Sequence, residues 1–174
     1  MKKFFMADKS EKGEFYTPAN IVELMTLLIQ PYSGSVYDPC CGSGGMFVQS
    51  AEFIKRHQGN KKDITIYGQE SNDKTYKLAR MNLAIRGLNC DLGDMDASTF
   101  TSDKHPNLRA DFILANPPFN LKNWRTENEL KNDRRWDGYE APPVSNANYA
   151  WILNMLARPP YTGPAAVLPA NGRL

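Results

Sequence analysis

The string Asn116-Pro117-Pro118-Phe119 holds the residues best suited to chemistry. Its prolines fix φ and carry no N–H. The corner therefore presents acceptors: the side-chain oxygen of Asn116 and the carbonyl of Pro117. Those two can grip both hydrogens of a planar NH₂ group. Such a nitrogen is a poor nucleophile, because its lone pair is conjugated into a ring or a carbonyl. Drawing its hydrogens out of plane favours the tetrahedral geometry needed to attack a sulfonium methyl. The gain comes from orientation and preorganised electrostatics, with no strong base required. Phe119 offers a face on which a flipped base can stack. The plainer alternative is a rigid strand-end turn with one buried Phe, and the order of the other motifs weighs against it.

A second candidate is Asp38-Pro39-Cys40-Cys41-Gly42-Ser43-Gly44-Gly45-Met46. Glycines let the backbone approach a ligand closely, and a helix N-terminus receives polar ligand groups. Gly42-Ser43-Gly44 supplies a G-x-G, but a third glycine of the dinucleotide pattern would fall at Phe47. No Gly-Lys-Ser/Thr follows, so the loop is not a P-loop either. Asp38 in front of it suits a cationic ligand better than a pyrophosphate, with its carboxylate aimed into the cleft. One βαβ unit later, Gly68-Gln69-Glu70 places an acid where such folds bind ribose hydroxyls. Loop and acid without a phosphate motif suggest an adenosine carried on something other than a pyrophosphate. S-adenosylmethionine fits that description.

These strings need strands and helices to position them. Thr17-Pro18 reads as an N-cap followed by a first-turn proline. Ile21, Leu24, Met25 and Leu28 recur at helical spacing, and Pro31 ends that helix. Short strands are expected at 35–38, 64–68, around 90–92, at 111–115 and at 165–168. Helices are expected over 46–56, with Phe47, Ala51 and Ile54 inward, and over 73–86, with Tyr76, Ala79 and Leu83 inward. Gly87 sits at the position of a left-handed cap. A last helix over 149–157 would bury Tyr149, Leu153 and Leu156. This alternation implies right-handed crossovers and a mostly parallel sheet with helices on both faces. The motifs all fall after strands, at the end of the sheet where ligands bind.

Composition excludes other classes. The 174 residues carry 21 Lys+Arg against 19 Asp+Glu, a net charge of +2, so no broad nucleic-acid footprint is evident, although a local patch is compatible with it. No apolar run approaches the ~20 residues of a membrane span. Asp8, Lys9, Glu11 and Lys12 interrupt the apolar start before a signal-peptide core could form. Cys40, Cys41 and Cys90 form no disulfide framework, and with His57 and His105 they make no zinc pattern. A soluble, cytoplasmic domain without a metal is expected. Residues 1–12 read as a loose lead-in, and 13–174 as the catalytic unit.

The chain resembles the modification (methyltransferase) subunit of type I restriction-modification systems. That family methylates adenine N6 in DNA. The resemblance rests on Gly13-Glu14-Phe15-Tyr16-Thr17-Pro18, the strings at Asp38, Gly68 and Asn116, and Arg135-Trp136, Pro142-Pro143, Ala147-Asn148-Tyr149-Ala150-Trp151 and Val167-Leu168-Pro169-Ala170-Asn171-Gly172. It covers nearly everything from Lys12 onward. It implies a Rossmann-like S-adenosylmethionine-dependent fold with fewer strands than the family's sheet usually has, hence a partial core of a larger subunit with an exposed sheet edge. It implies that Phe15, Tyr16 and Thr17 line the methionine side of the cofactor pocket. Asp38, Cys40, Gly42, Ser43 and Gly44 would bind the methionine part, and Glu70 the ribose. Asp96 is the choice to face the cofactor adenine, with Asp94 its rival. Asn116, Pro117, Pro118 and Phe119 would form the target-base site. Cys40 and Cys41 stand where the family has small residues and read as packing positions rather than nucleophiles. The implied partners are double-stranded DNA with a flipped adenine, a specificity subunit and a restriction subunit.

Lys122, Trp124, Arg125, Lys131, Arg134, Arg135 and Trp136 interleave cations and aromatics. That pattern suits phosphate contact and base stacking. A solvated loop competes closely, because Glu127, Glu129, Asp133 and Asp137 cancel the charge. Its place after the Asn-Pro-Pro-Phe corner leans toward substrate contact. Two other functions stay open. One is a fragment of such a subunit that binds cofactor without methylating. The other is an RNA-base or protein-glutamine amide methyltransferase.

Overall fold

The computed structural model describes residues 17–158 and 163–169. The expected lead-in at 1–12, like Phe15 and Tyr16, lies outside them. In chain order the elements are α1 (Ala19–Ile29), β1 (Gly34–Asp38), α2 (Gly45–Arg56), β2 (Ile64–Gly68), α3 (Asp73–Ile85), β3 (Cys90–Asp91), β4 (Phe112–Ala115), α4 (Asn148–Leu156) and β5 (Ala165–Val167). The five strands form one sheet in the order β3-β2-β1-β4-β5. All four pairings are parallel. After β1 the chain steps to one side for β2, and later returns to the other side for β4. The β1–β4 junction is therefore the point where a cleft opens beyond the strand ends.

Strand alternation divides the core between two faces. Val36, Ile66 and Leu114 pack with α1, α2 and α3 through Met25, Phe47, Ile54 and Leu83. Tyr37, Ile113 and Ala115 pack on the other face with Phe100, Trp124, Trp136, Trp151 and Leu153. Both faces are covered, as a parallel sheet requires. Asp38 pairs with Gly68, and Tyr37 with Ile113. That register brings the segments after Asp38, Gly68 and Ala115 to the same end of the sheet.

Two helices turn a different face inward from the one expected. In α1 the buried residues are Val22, Met25, Thr26 and Ile29, while Leu24 and Leu28 are 53% and 71% exposed. The helix is apolar on two sides, so hydrophobicity alone does not choose between them. Thr26 enters the core because its hydroxyl donates to Val22 O at 2.8 Å, leaving no unmet polar group. In α4, Leu153 is buried as expected, but Tyr149 and Leu156 are 40% and 57% exposed. Its inward stripe is Ala150, Trp151, Leu153, Asn154 and Met155. The expected inner faces of α2 and α3 hold, and Gly87 takes the left-handed φ of 63°.

Thr17 is not the cap of α1. Pro18 occupies that position and makes no side-chain capping bond. The threonine hydroxyl is engaged elsewhere, at the end of β4.

Candidate active site

Three strand ends supply one cleft of about 460 Å³, within the usual range for small-molecule sites. From the loop after β1 come Pro39, Cys40, Gly42 and Ser43. From the turn after β2 come Glu70 and Ser71, and from the first turn of α3 comes Thr75. Asn116, Pro117, Pro118 and Phe119 follow β4. Ser98, Thr99, Phe100, Leu121, Trp124 and Trp151 complete the lining.

The glycine loop is held by a dense set of backbone bonds. Gln69 N–H donates to Asp38 O at 3.1 Å, and Cys41 N–H to Gln69 O at 2.9 Å. Asn82 Nδ2 donates to Ser43 O at 2.7 Å. Gly42 and Gly44 adopt φ of 54° and 80°, a region that costs other L-residues about 1–2 kcal/mol. A Cβ on Gly42 would meet no described residue within 4 Å, so none of them closes the loop to a ligand there. The N-terminus of α2, capped by Gly44, receives no side-chain hydrogen bond. Glu70 bridges this loop to α3. Its Oε2 accepts Gly42 N–H at 3.1 Å, and its Oε1 accepts Asn72 N–H at 2.7 Å.

Asp38 lies behind the loop and not in the cleft wall. It is 2% exposed, and its Oδ1 accepts Cys40 N–H at 2.9 Å. Burial pushes its carboxyl up to about 7, opposed by the Cys40 hydrogen bonds and reinforced by the Glu70 charge. The expected orientation into the cleft is therefore replaced by a structural bond within the turn. Gly44 is also absent from the lining; a Cβ there would sit 3.4 Å from Leu83. Asp96 is exposed, at a left-handed φ of 59°, and Asp94 pairs with Lys104 at 2.8 Å. Neither carboxylate lines the cleft. Burial raises both the Cys40 and Cys41 thiols well above the usual range. That suits packing and disfavours thiolate chemistry.

The corner after β4 is tied to the segment before α1. Asn116 Nδ2 donates to Thr17 Oγ1 at 2.7 Å, across 99 residues of chain. Asn116 Oδ1 is buried and accepts no hydrogen bond from any described residue. An orphaned buried acceptor costs about 1–3 kcal/mol, which a donor arriving at that oxygen would recover. Phe100 stands 4.5 Å from Trp124 and 4.3 Å from Trp151, centroid to centroid, giving the cleft an aromatic wall.

Sequence reasoning missed Ser98, Thr99 and Phe100. They follow β3, whose two residues barely register as a strand. Thr99 Oγ1 donates to Pro39 O, which ties this segment to the glycine loop. Conversely, the cation-aromatic stretch contributes mainly to packing. Trp124, Arg125, Arg135 and Trp136 are all buried. Arg125 Nη1 donates to the carbonyls of Thr126, Glu127 and Glu129, and its Nη2 to that of Pro142. Arg135 donates to Thr99 O at 2.8 Å and Phe100 O at 2.6 Å, and pairs with Asp133 at 2.7 Å. A long irregular segment must satisfy its buried carbonyls, and the two guanidinium forks do so. Lys122, Lys131 and Arg134 remain exposed.

Among the described residues no cluster of His, Cys, Asp and Glu could hold a metal, and no helix is long and apolar enough to cross a membrane.

The family model described as N-6 DNA methylase matches residues 1–174. The chain belongs to the N-6 DNA methylase family. It is 47% identical over 174 residues to the type I restriction enzyme HindI methylase subunit of Haemophilus influenzae, covering all of this chain and 39% of that protein. It is 36% identical over 176 residues to the MjaIX methylase subunit of Methanocaldococcus jannaschii, covering 99% of this chain and 31% of that protein. The chain thus spans well under half the length of these relatives. The solved type I restriction-modification methyltransferase subunit from Streptococcus thermophilus superposes with a TM-score of 0.79 at 26% identity, over 93% of this chain and 36% of that one. The sheet is thus that of the Rossmann-like methyltransferases. Within this N-6 DNA methylase core, the acceptor corner, the glycine loop and Glu70 share one cleft.

Proposed function

We propose that this chain is the catalytic core of a site-specific DNA methyltransferase that moves a methyl group from S-adenosylmethionine to adenine N6. The observation that carries the reading is Asn116, whose amide nitrogen is engaged by Thr17 while its buried oxygen has no partner among the described residues. An exocyclic amino group has the hydrogens that such an oxygen lacks.

S-adenosylmethionine, when bound, supplies the electrophilic methyl on a sulfonium sulfur. Gly42 and Ser43 leave room for its close approach, and Glu70 is assigned to the ribose. Thr17 and Cys40, with Phe15 and Tyr16, belong to the methionine side in this reading, and Asp38 and Gly44 serve that side from behind the loop by shaping its turn. Asp96, with Asp94 as its rival, is assigned to the cofactor adenine, although neither carboxylate lines the cleft. The Asn116 oxygen and the Pro117 carbonyl accept the two amino hydrogens of the target base. Their pull localises the nitrogen lone pair toward the methyl carbon. The new N–C bond forms as the C–S bond breaks, the electron pair stays on sulfur, and the nitrogen releases one proton to solvent. Phe119 stacks on a base flipped out of double-stranded DNA.

The proposed setting is a type I restriction-modification system in the cytoplasm, with a specificity subunit choosing the sequence and a restriction subunit attached. Three free cysteines suit that reducing compartment. The test is transfer of labelled methyl by the full-length subunit with its specificity subunit, offered DNA, RNA and protein acceptors. Label in DNA is expected. Label confined to protein or RNA overturns the reading.

A further inference from the structure

We propose that Thr17 is a positioning residue for methyl transfer: its hydroxyl holds the amide plane of Asn116 so that the side-chain oxygen meets the substrate amino group. This rests on the adenine-methyltransferase reading above. It adds a second role to the place proposed for Thr17 on the methionine side of the cofactor pocket.

Pro117 and Pro118 stiffen the backbone of the corner, but they do not fix the Asn116 side chain. The terminal torsion of an asparagine is broad and roughly two-fold. Left to itself, the amide would sweep its oxygen through an arc comparable to the misplacements that cost about a hundredfold in rate. The restraint is the hydrogen bond from Nδ2 to Thr17 Oγ1, 2.7 Å long. It satisfies the nitrogen and turns the opposite edge of the amide away from Thr17. That edge carries the buried Oδ1, which has no partner among the described residues.

Thr17 is well placed to act as an anchor. It immediately precedes Pro18, whose carbonyl accepts the N–H groups of Ile21 and Val22 in the first turn of α1. That helix is seated in the core through Val22, Met25, Thr26 and Ile29. The hydroxyl is thus delivered from a buried helix to the end of β4. A hydroxyl both donates and accepts, so it could hold the amide in either of two flips. The substrate removes that ambiguity, because a flipped amide would set N–H against N–H. Thr17 sets the plane, and the amino group selects the edge.

The test compares Thr17→Val, which keeps the shape and removes the hydroxyl, with Thr17→Ser, which keeps the hydroxyl. Both are made in the full-length subunit assembled with its specificity subunit. For Thr17→Val, kcat at saturating S-adenosylmethionine should fall on the order of 10–100-fold, a larger effect than any change in cofactor Kd. Thr17→Ser should restore most of the rate. A second readout needs no turnover. With ¹⁵N-asparagine labelling, the Asn116 side-chain resonance, identified by its loss in Asn116→Asp, should move in Thr17→Val and stay in Thr17→Ser. The proposal is overturned if Thr17→Val weakens cofactor binding but leaves kcat intact, or if the Asn116 resonance does not move. A wild-type assembly that labels no DNA while the resonance behaves as expected defeats the adenine reading. The Thr17–Asn116 restraint would then stand apart from it.

Discussion

Glu70 Oε2 accepts the backbone N–H of Gly42 at 3.1 Å, 28 residues away in sequence. The acid after β2 is therefore tied to the glycine loop after β1, and the two halves of the proposed cofactor site are one mechanical unit. Glu70→Ala should release the loop and remove the ribose acceptor together. Hydrogen bonds to charged groups are worth about 1.5–3 kcal/mol, so the S-adenosylmethionine Kd should rise roughly 10–100-fold. Glu70→Gln retains one acceptor oxygen and should fall between. Calorimetry reads both, and unchanged affinity in Glu70→Ala would remove Glu70 from the site.

Gly44 combines a φ of 80° with a Cβ position 3.4 Å from Leu83. Gly44→Ala should cost about 1–2 kcal/mol from the left-handed backbone alone. A thermal melt should show a clear fall in Tm. An unchanged Tm would mean the turn relaxes to another conformation.

Asp38 gives stability a pH dependence. Its carboxyl is raised from 3.8 to about 7 by burial. Between those values the folded state holds a proton that the unfolded state has lost. The stabilisation is complete below about 4 and disappears as pH rises through about 7. Asp38→Asn keeps an acceptor for the Cys40 N–H and carries no charge. Relative to wild type it should gain stability steadily from pH 4 to 7 and then level off, by an amount on the order of 2–4 kcal/mol. Denaturant melts across that range measure it. A gain that grows toward low pH would contradict the assignment.

Arg135 separates bracing from phosphate contact. Its guanidinium satisfies the carbonyls of Thr99 and Phe100 beside the cleft. Arg135→Ala leaves them and Asp133 without that donor and should destabilise by about 2–4 kcal/mol. The slope of log K for DNA against log salt should stay unchanged, since no phosphate contact is lost. Lys122→Ala, at an exposed position, should leave Tm alone and reduce that slope if it meets a phosphate.

Much of the fold was legible because pattern and burial coincide. β2 alternates as Ile64, Ile66 and Gly68 inward with Thr65 outward, and α2 buries Phe47, Ala51 and Ile54 on one stripe. Gly87 shows its left-handed role through its type and place alone. That the Asn116–Phe119 corner would face the cleft was legible too, because it directly follows a strand. What escaped depends on long-range partners. The inward face of α1 turns on Thr26 bonding within its own helix. Arg125 and Arg135 are read correctly only once the carbonyls around them are known to be buried. Asp38 is drawn back into its turn by Cys40 N–H, which no spacing rule foretells. Ser98, Thr99 and Phe100 join the cleft because Thr99 reaches Pro39, 60 residues earlier.

The most direct test of the central claim is the identity of the methylated nucleoside. The full-length subunit, assembled with its specificity subunit, is given duplex DNA and labelled S-adenosylmethionine, and the DNA is digested to nucleosides. All of the label should run with N6-methyldeoxyadenosine, and Asn116→Ala should abolish it. Label on a cytosine, or undiminished label in Asn116→Ala, would contradict the account.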